Sequence, residues 1–205
     1  MIRRFHQINA LLLSLFICLH LLNHMTLLVG IELHLSTMSF LRLFYRPLLI
    51  EIPLYFLFST QIMLGGALLA KRGWPSNRWG RAQYLSGVIL ALFLIQHAIA
   101  VLVTRYSVPE IDTNIYWAAS VVSRDPYLWY FAPYYAAGIV AMFVHIAAAC
   151  RKREKWRDYA NWIVLLGIVS AGIIVPSMMG WWGNPIKLPI EYENYIENFS
   201  LSFIN

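Results

Sequence analysis

Residues 9–23, NALLLSLFICLHLLN, and residues 86–100, SGVILALFLIQHAIA, are apolar segments of equal length with a histidine at the same position. Laid on one another, Leu15-Phe16 falls on Leu92-Phe93 and His20 falls on His97. Each segment lies inside a run long enough to cross a bilayer, which takes about 20 residues at 1.5 Å per residue. A histidine in such a run is costly to bury unless it bonds a neighbouring helix or ligates a metal. Two histidines matched in depth favour one shared occupant held from both sides.

Outward from this pair, the whole chain has membrane character. It has 205 residues, of which 60% are hydrophobic and 13% charged. That is far more apolar than a soluble domain. Five runs reach spanning length, at 8–30, 48–70, 82–104, 128–150 and 160–180. Little chain is left outside them, so residues 1–205 read as one all-α transmembrane domain with no catalytic site of its own evident. The first run follows Arg3-Arg4, as a signal peptide would, but it carries His20, Asn23 and His24 and no small-residue cleavage site. It reads as a retained first helix. Cys18 and Cys150 fall in opposite halves of the membrane and predict no disulfide, and no Cys-x-x-Cys-His sequence is present for covalent heme attachment.

Charge sets the orientation. With five crossings, the N-terminus shares a side with the 71–81 and 151–157 loops, and together they hold eleven of the sixteen basic residues. The other side carries Arg42, Arg46, Arg105, Arg124 and Lys187, diluted by seven carboxylates that include the tail's Glu191, Glu193 and Glu197. The positive-inside rule then places the N-terminus in the cytoplasm and the C-terminus outside. This asymmetry accounts for most of the net charge of +6, so no nucleic-acid partner is implied. Residues 31–47 read as an amphipathic helix on the outer interface ended by Pro47. Residues 105–127 read as a partly structured outer cap. The eight tryptophans, Trp117 among them, read as an aromatic belt at the span ends.

At 1.5 Å per residue, His20 and His97 lie roughly 18 and 22 Å from the cytoplasmic ends of their helices, both in the outer half. In an up-down-up-down bundle the first and third spans share a diagonal, so the two imidazoles face each other and suit the two axial positions of one buried iron. His24, one turn beyond His20, is either that ligand in His20's place or a support beside it. His145 lies roughly 8 Å from the cytoplasmic end of its helix and belongs to a second cofactor or a polar cavity. His34 reads as ordinary surface in the outer loop. His6, Asn9, Gln61, Gln83 and Ser86 map with His145 to the inner half, a lining suited to a quinone headgroup. Arg42, Arg46 and Arg105 are either partners for heme propionates or interface anchors.

Other chemistry is less well supplied. The His20-x3-His24 spacing also suits a diiron or zinc site, but the only carboxylate near a span is Glu51. A transporter is disfavoured because the repeat is parallel and no mid-membrane charge is present.

The five-span layout, Phe16-x3-His20, Gly87 ten residues before His97 in Phe93-Leu-Ile-Gln-His97, and Phe143-Val-His145 resemble the membrane cytochrome b subunit of succinate dehydrogenase and fumarate reductase. The resemblance covers roughly residues 6–155. It implies a heme-binding four-helix bundle formed by the first four spans in a bacterial cytoplasmic membrane, with electrons carried between quinone and flavoprotein and iron–sulfur subunits. It assigns His20 and His97 to the outer heme b and His145 to an inner one. The second inner-heme ligand position, four residues before Gly65, is Gln61 here, which favours one heme over two. The alternative is a non-catalytic anchor or a sensor that responds to heme or quinone.

Overall fold

The computed structural model describes residues 1–182 and 185–201, and among them every regular element is helical. Helix α1 (Ile2–Met25) leads through a 3₁₀ turn (Thr26–Leu28) into α2 (Ile31–Tyr45). Helices α3 (Leu48–Arg72) and α4 (Arg78–Ser107) follow, then the short α5 (Ile115–Val122), α6 (Leu128–Cys150), α7 (Ala160–Met178) and α8 (Ile190–Leu201). Among the described residues five helices are long and apolar enough to cross a membrane: α1 with its turn, α3, α4, α6, and α7 with the 3₁₀ turn before it. They coincide with the five expected runs, although α1 starts before residue 8 and α4 extends past both ends of 82–104.

Local chemistry sets the boundaries. Pro47 stands at the N-cap of α3 and separates it from α2. Gly73 closes α3 at φ +61°, a left-handed conformation natural to glycine. Asn77 starts α4 by accepting the Gly80 N–H at 2.7 Å, and Asn114 starts α5 by accepting the Tyr116 N–H at 2.9 Å.

The spans pack in two groups. Helix α6 lies against both α4 and α7, and α1 lies against α3. Small residues set the close approaches: a side chain at Gly138 would strike the Phe93 ring at 2.4 Å, and one at Gly167 would strike Phe143 Cβ at 2.5 Å. Helices α3 and α4 meet only sparsely, so a seam runs between the α1/α3 pair and the α4/α6/α7 group. Helix α7 and the turn after α1 bridge it.

The apolar core sits at one end of this bundle. Leu27, Ile115, Val122, Tyr135, Ile139, Ile174, Met178 and Ile196 form one cluster drawn from the turn after α1, from α5 to α7, and from α8. Helix α5 has only eight residues, too few to be stable alone. It holds because Ile115 and Val122 are 1% and 0% exposed, each burial contributing about 1.5–3 kcal/mol. The tail, expected only to dilute charge, is the docked helix α8. Tyr192 donates to the Asp112 carbonyl at 3.0 Å, and Thr104 Oγ1 lies 3.3 Å from Tyr195 Oη. Around the bundle, Leu11 and Leu15 on α1, Phe56 and Met63 on α3 and Leu92 on α4 point outward, as a lipid-facing surface requires. Helix α3 shows the extreme: its one buried residue is Glu51.

The two ends differ. One, the capped end, carries α2, α5 and α8; the other, the basic end, carries the N-terminus and the 73–77 and 151–159 connections.

Candidate functional site

His20 on α1 and His97 on α4 face each other across the seam with ring centres 6.2 Å apart and planes at 68°. Each ring is stacked on the phenylalanine one turn earlier. Phe16 and His20 lie 5.7 Å apart at 15°, and Phe93 and His97 lie 5.4 Å apart at 11°. The sequence repeat is therefore also a repeat of geometry. Behind Phe16 stand Tyr45 and Phe58, and behind Phe93 stands Tyr134, whose hydroxyl donates to the Phe93 carbonyl at 3.1 Å. Gly138 leaves room for the Phe93 ring on which His97 stacks. Both histidines are partly buried, and His97 lines an internal cavity.

His20 and His97 are the residues that would hold a metal between them. Two imidazoles ligating one metal from opposite sides, each nitrogen about 2 Å away, have ring centres about 6 Å apart. His24 is turned differently. Its ring packs edge-on to His20 at 4.8 Å and lies 5.4 Å from His34, and its Nδ1 is buried without a partner. Of the two α1 histidines, His20 is the one that meets His97. Among the described residues no group of three or more His, Cys, Asp or Glu side chains is arranged to hold a metal ion.

His34 is a correction. Expected on the surface, it is 1% exposed. Its Nδ1–H donates to the Asn23 carbonyl at 2.8 Å, and its Nε2 lies 3.5 Å from the Asn23 amide nitrogen. Burial holds the imidazole below its ordinary pKa; the Asn23 bond opposes this and the nearby Arg42 charge adds to it. The signal was present in the sequence, because His34 lies on one stripe with Ile31, Leu35 and Met38 at helical spacing.

The arginines at this end are engaged within the protein. Arg42 donates to Asp112 at 2.7 Å and Arg46 at 3.4 Å, while Arg105 forms a two-pronged pair with the buried Glu51. Burial pushes the Asp112 carboxyl up, but Arg42, Arg46 and Asn114 outweigh it and hold its pKa below the ordinary value. Beside His97 lies a cavity of about 150 Å³, lined by Gln96, Ala100, Val121, Phe131, Tyr134 and Tyr135 among others. Trp117, expected in the aromatic belt, lines this cavity from α5 instead, with its indole N–H buried and unpartnered. Trp74, Trp129, Trp162 and Trp181 remain exposed near span ends, as a belt requires.

The inner-half residues hydrogen-bond in two groups, one on each side of the seam, with His6 near enough to His145 to interact electrostatically and Gln83 accepting a bond from Arg72 across the seam. Asn9 donates to the Leu57 carbonyl at 2.8 Å and to Gln61 Oε1 at 2.9 Å, and the Gln61 amide nitrogen lies 3.4 Å from His6 Nε2. On the other side of the seam, Ser86 Oγ lies 3.3 Å from His145 Nδ1, and Gly87 gives the His145 ring its space. Gln61 and His145 thus each bond within their own helix group.

Against known proteins, no family model matches the chain, and no curated protein or solved structure is detectably similar to it.

Proposed function

We propose that this chain is a membrane-embedded b-type cytochrome, with His20 and His97 as axial ligands of one heme b, carrying electrons between quinone and a partner protein. The observation that carries the reading is the facing pair of Phe-x3-His units, with ring centres 6.2 Å apart across a loosely packed seam. The heme would supply one-electron chemistry. The chain would supply the ligands, the aromatic walls that keep water out, and the burial that tunes the potential. Support for one heme over two comes from the inner half, where Gln61 and His145 are occupied with different neighbours.

The quinone headgroup would sit in the inner half, where His6, Asn9, Gln61, Ser86 and His145 offer hydrogen-bonding groups. A second place for it is the cavity of about 150 Å³ beside His97. The orientation follows from charge, with the N-terminus cytoplasmic in a bacterial inner membrane. Flavoprotein and iron–sulfur subunits are the partners that the family resemblance implies.

The deciding experiment is a reduced-minus-oxidised spectrum of the detergent-purified chain with pyridine hemochrome stoichiometry. One heme b per chain is expected, absent in His97→Ala and in His20→Ala, present in His24→Ala, and partly restored in His97→Gly by added imidazole. A wild-type chain without heme overturns the proposal.

A further inference from the structure

Charge pairing is confined to one end of the molecule. Among the described residues the ion pairs are Arg42–Asp112, Arg46–Asp112, Arg105–Glu51 and Arg124–Glu197, all at the capped end. The basic end holds eleven cations and two carboxylates, Glu154 and Asp158, neither of them in an ion pair among the described residues. Its charge is also concentrated locally. Arg72, from the last turn of α3, and Lys152, just past α6, both donate to one acceptor, Gln83 Oε1, Arg72 at 3.1 Å. An amide oxygen carries only part of a charge, so two full cations converging on it stay uncompensated. Partial burial and the neighbouring Arg72 and Arg3 charges hold the Lys152 ammonium below its ordinary pKa. Beside these cations opens a cavity of about 320 Å³, walled by Pro75, Ser76, Asn77 and Gly80. Arg81 braces that wall by donating to the Pro75 and Ser76 carbonyls, each at 3.1 Å.

We propose that Arg72 and Lys152, with this cavity, form a binding site for a phosphate group. The site lies where α3 ends, α4 begins and α6 ends, the depth at which lipid headgroups sit against spanning helices. Its source is therefore the headgroup of an anionic phospholipid, with the phosphate between the guanidinium and the ammonium and the glycerol end in the cavity. The site is independent of any cofactor in the seam.

The test is native mass spectrometry of the full chain released from nanodiscs of equal parts phosphatidylglycerol and phosphatidylcholine. Retained phosphatidylglycerol is expected, reduced about tenfold or more in the Arg72→Gln/Lys152→Gln pair. It should be unchanged in Arg78→Gln/Arg153→Gln, which removes the same charge elsewhere on this end. Equal losses in the two pairs would mean diffuse attraction and overturn the site. So would equal retention of phosphatidylcholine. Displacement of the lipid by millimolar inorganic phosphate would overturn the headgroup as the source.

Discussion

The capped end and the basic end are built from the same five spans, yet they solve the problem of charge in opposite ways. At the capped end, arginines meet carboxylates brought from remote parts of the chain, and a large apolar cluster is closed over by α5 and α8. At the basic end, cations gather with almost no acid, bond backbone carbonyls and one amide, and leave a cavity open. Charges buried at the first end must be paired in place, whereas those at the second, such as Arg72 and Lys152, stand exposed. Tertiary stability therefore concentrates at the capped end.

The largest effect should come from breaking that end's buried ion pair. Arg105→Leu strands the Glu51 carboxylate at 6% exposure, at a cost of about 3–5 kcal/mol. Unfolding in detergent followed by denaturant titration should show it, and a loss below 1 kcal/mol would mean that the pair is open to water.

A smaller and pH-dependent effect tests His34. Its pKa in the folded chain lies below the ordinary 6.5, so on acidification the unfolded chain takes up this proton first. The stability His34 contributes is thus complete above about pH 6.5 and is lost as the pH falls through the folded-state value. Melting temperatures across that window should fall less steeply in His34→Gln than in wild type. Equal slopes would remove His34 from the account.

At the basic end the expected change is the smallest. Arg78→Gln in lipid-free detergent should alter stability by no more than about 0.5 kcal/mol, measured in the same titration. A loss rivalling that of Arg105→Leu would erase the contrast between the ends.

Much of the candidate site was legible before folding was considered. The match of Phe16-x3-His20 to Phe93-x3-His97 is a matter of local register, and a helix converts an i,i+4 spacing into a stacked pair without help from elsewhere. Span number and the amphipathic α2 follow from hydropathy and Pro47 for the same reason. The burial of His34 shows in the sequence only through its place on the Ile31–Leu35–Met38 stripe, against the polarity of the residue itself. The inward position of Trp117 is not legible, because nothing near it in sequence shows that α5 folds inward. Gln61 and His145 were joined by depth alone, while their hydrogen bonds follow helix pairing.

The sequence by itself determined five runs long and apolar enough to span a membrane and the i,i+4 register that stacks Phe16 on His20 and Phe93 on His97, because hydropathy and helical rise both act along the chain. Only the tertiary structure decided that His20 rather than His24 meets His97, that Arg42 and Arg105 take Asp112 and Glu51, and that the tail closes the capped end as α8. Those outcomes join residues some 50 to 80 positions apart, through contacts such as Arg105–Glu51, Arg42–Asp112 and Tyr192–Asp112. Which of several equivalent partners a side chain finds is set by helix packing, and helix packing is set by small residues such as Gly138 and Gly167, whose importance shows only once a neighbour is against them.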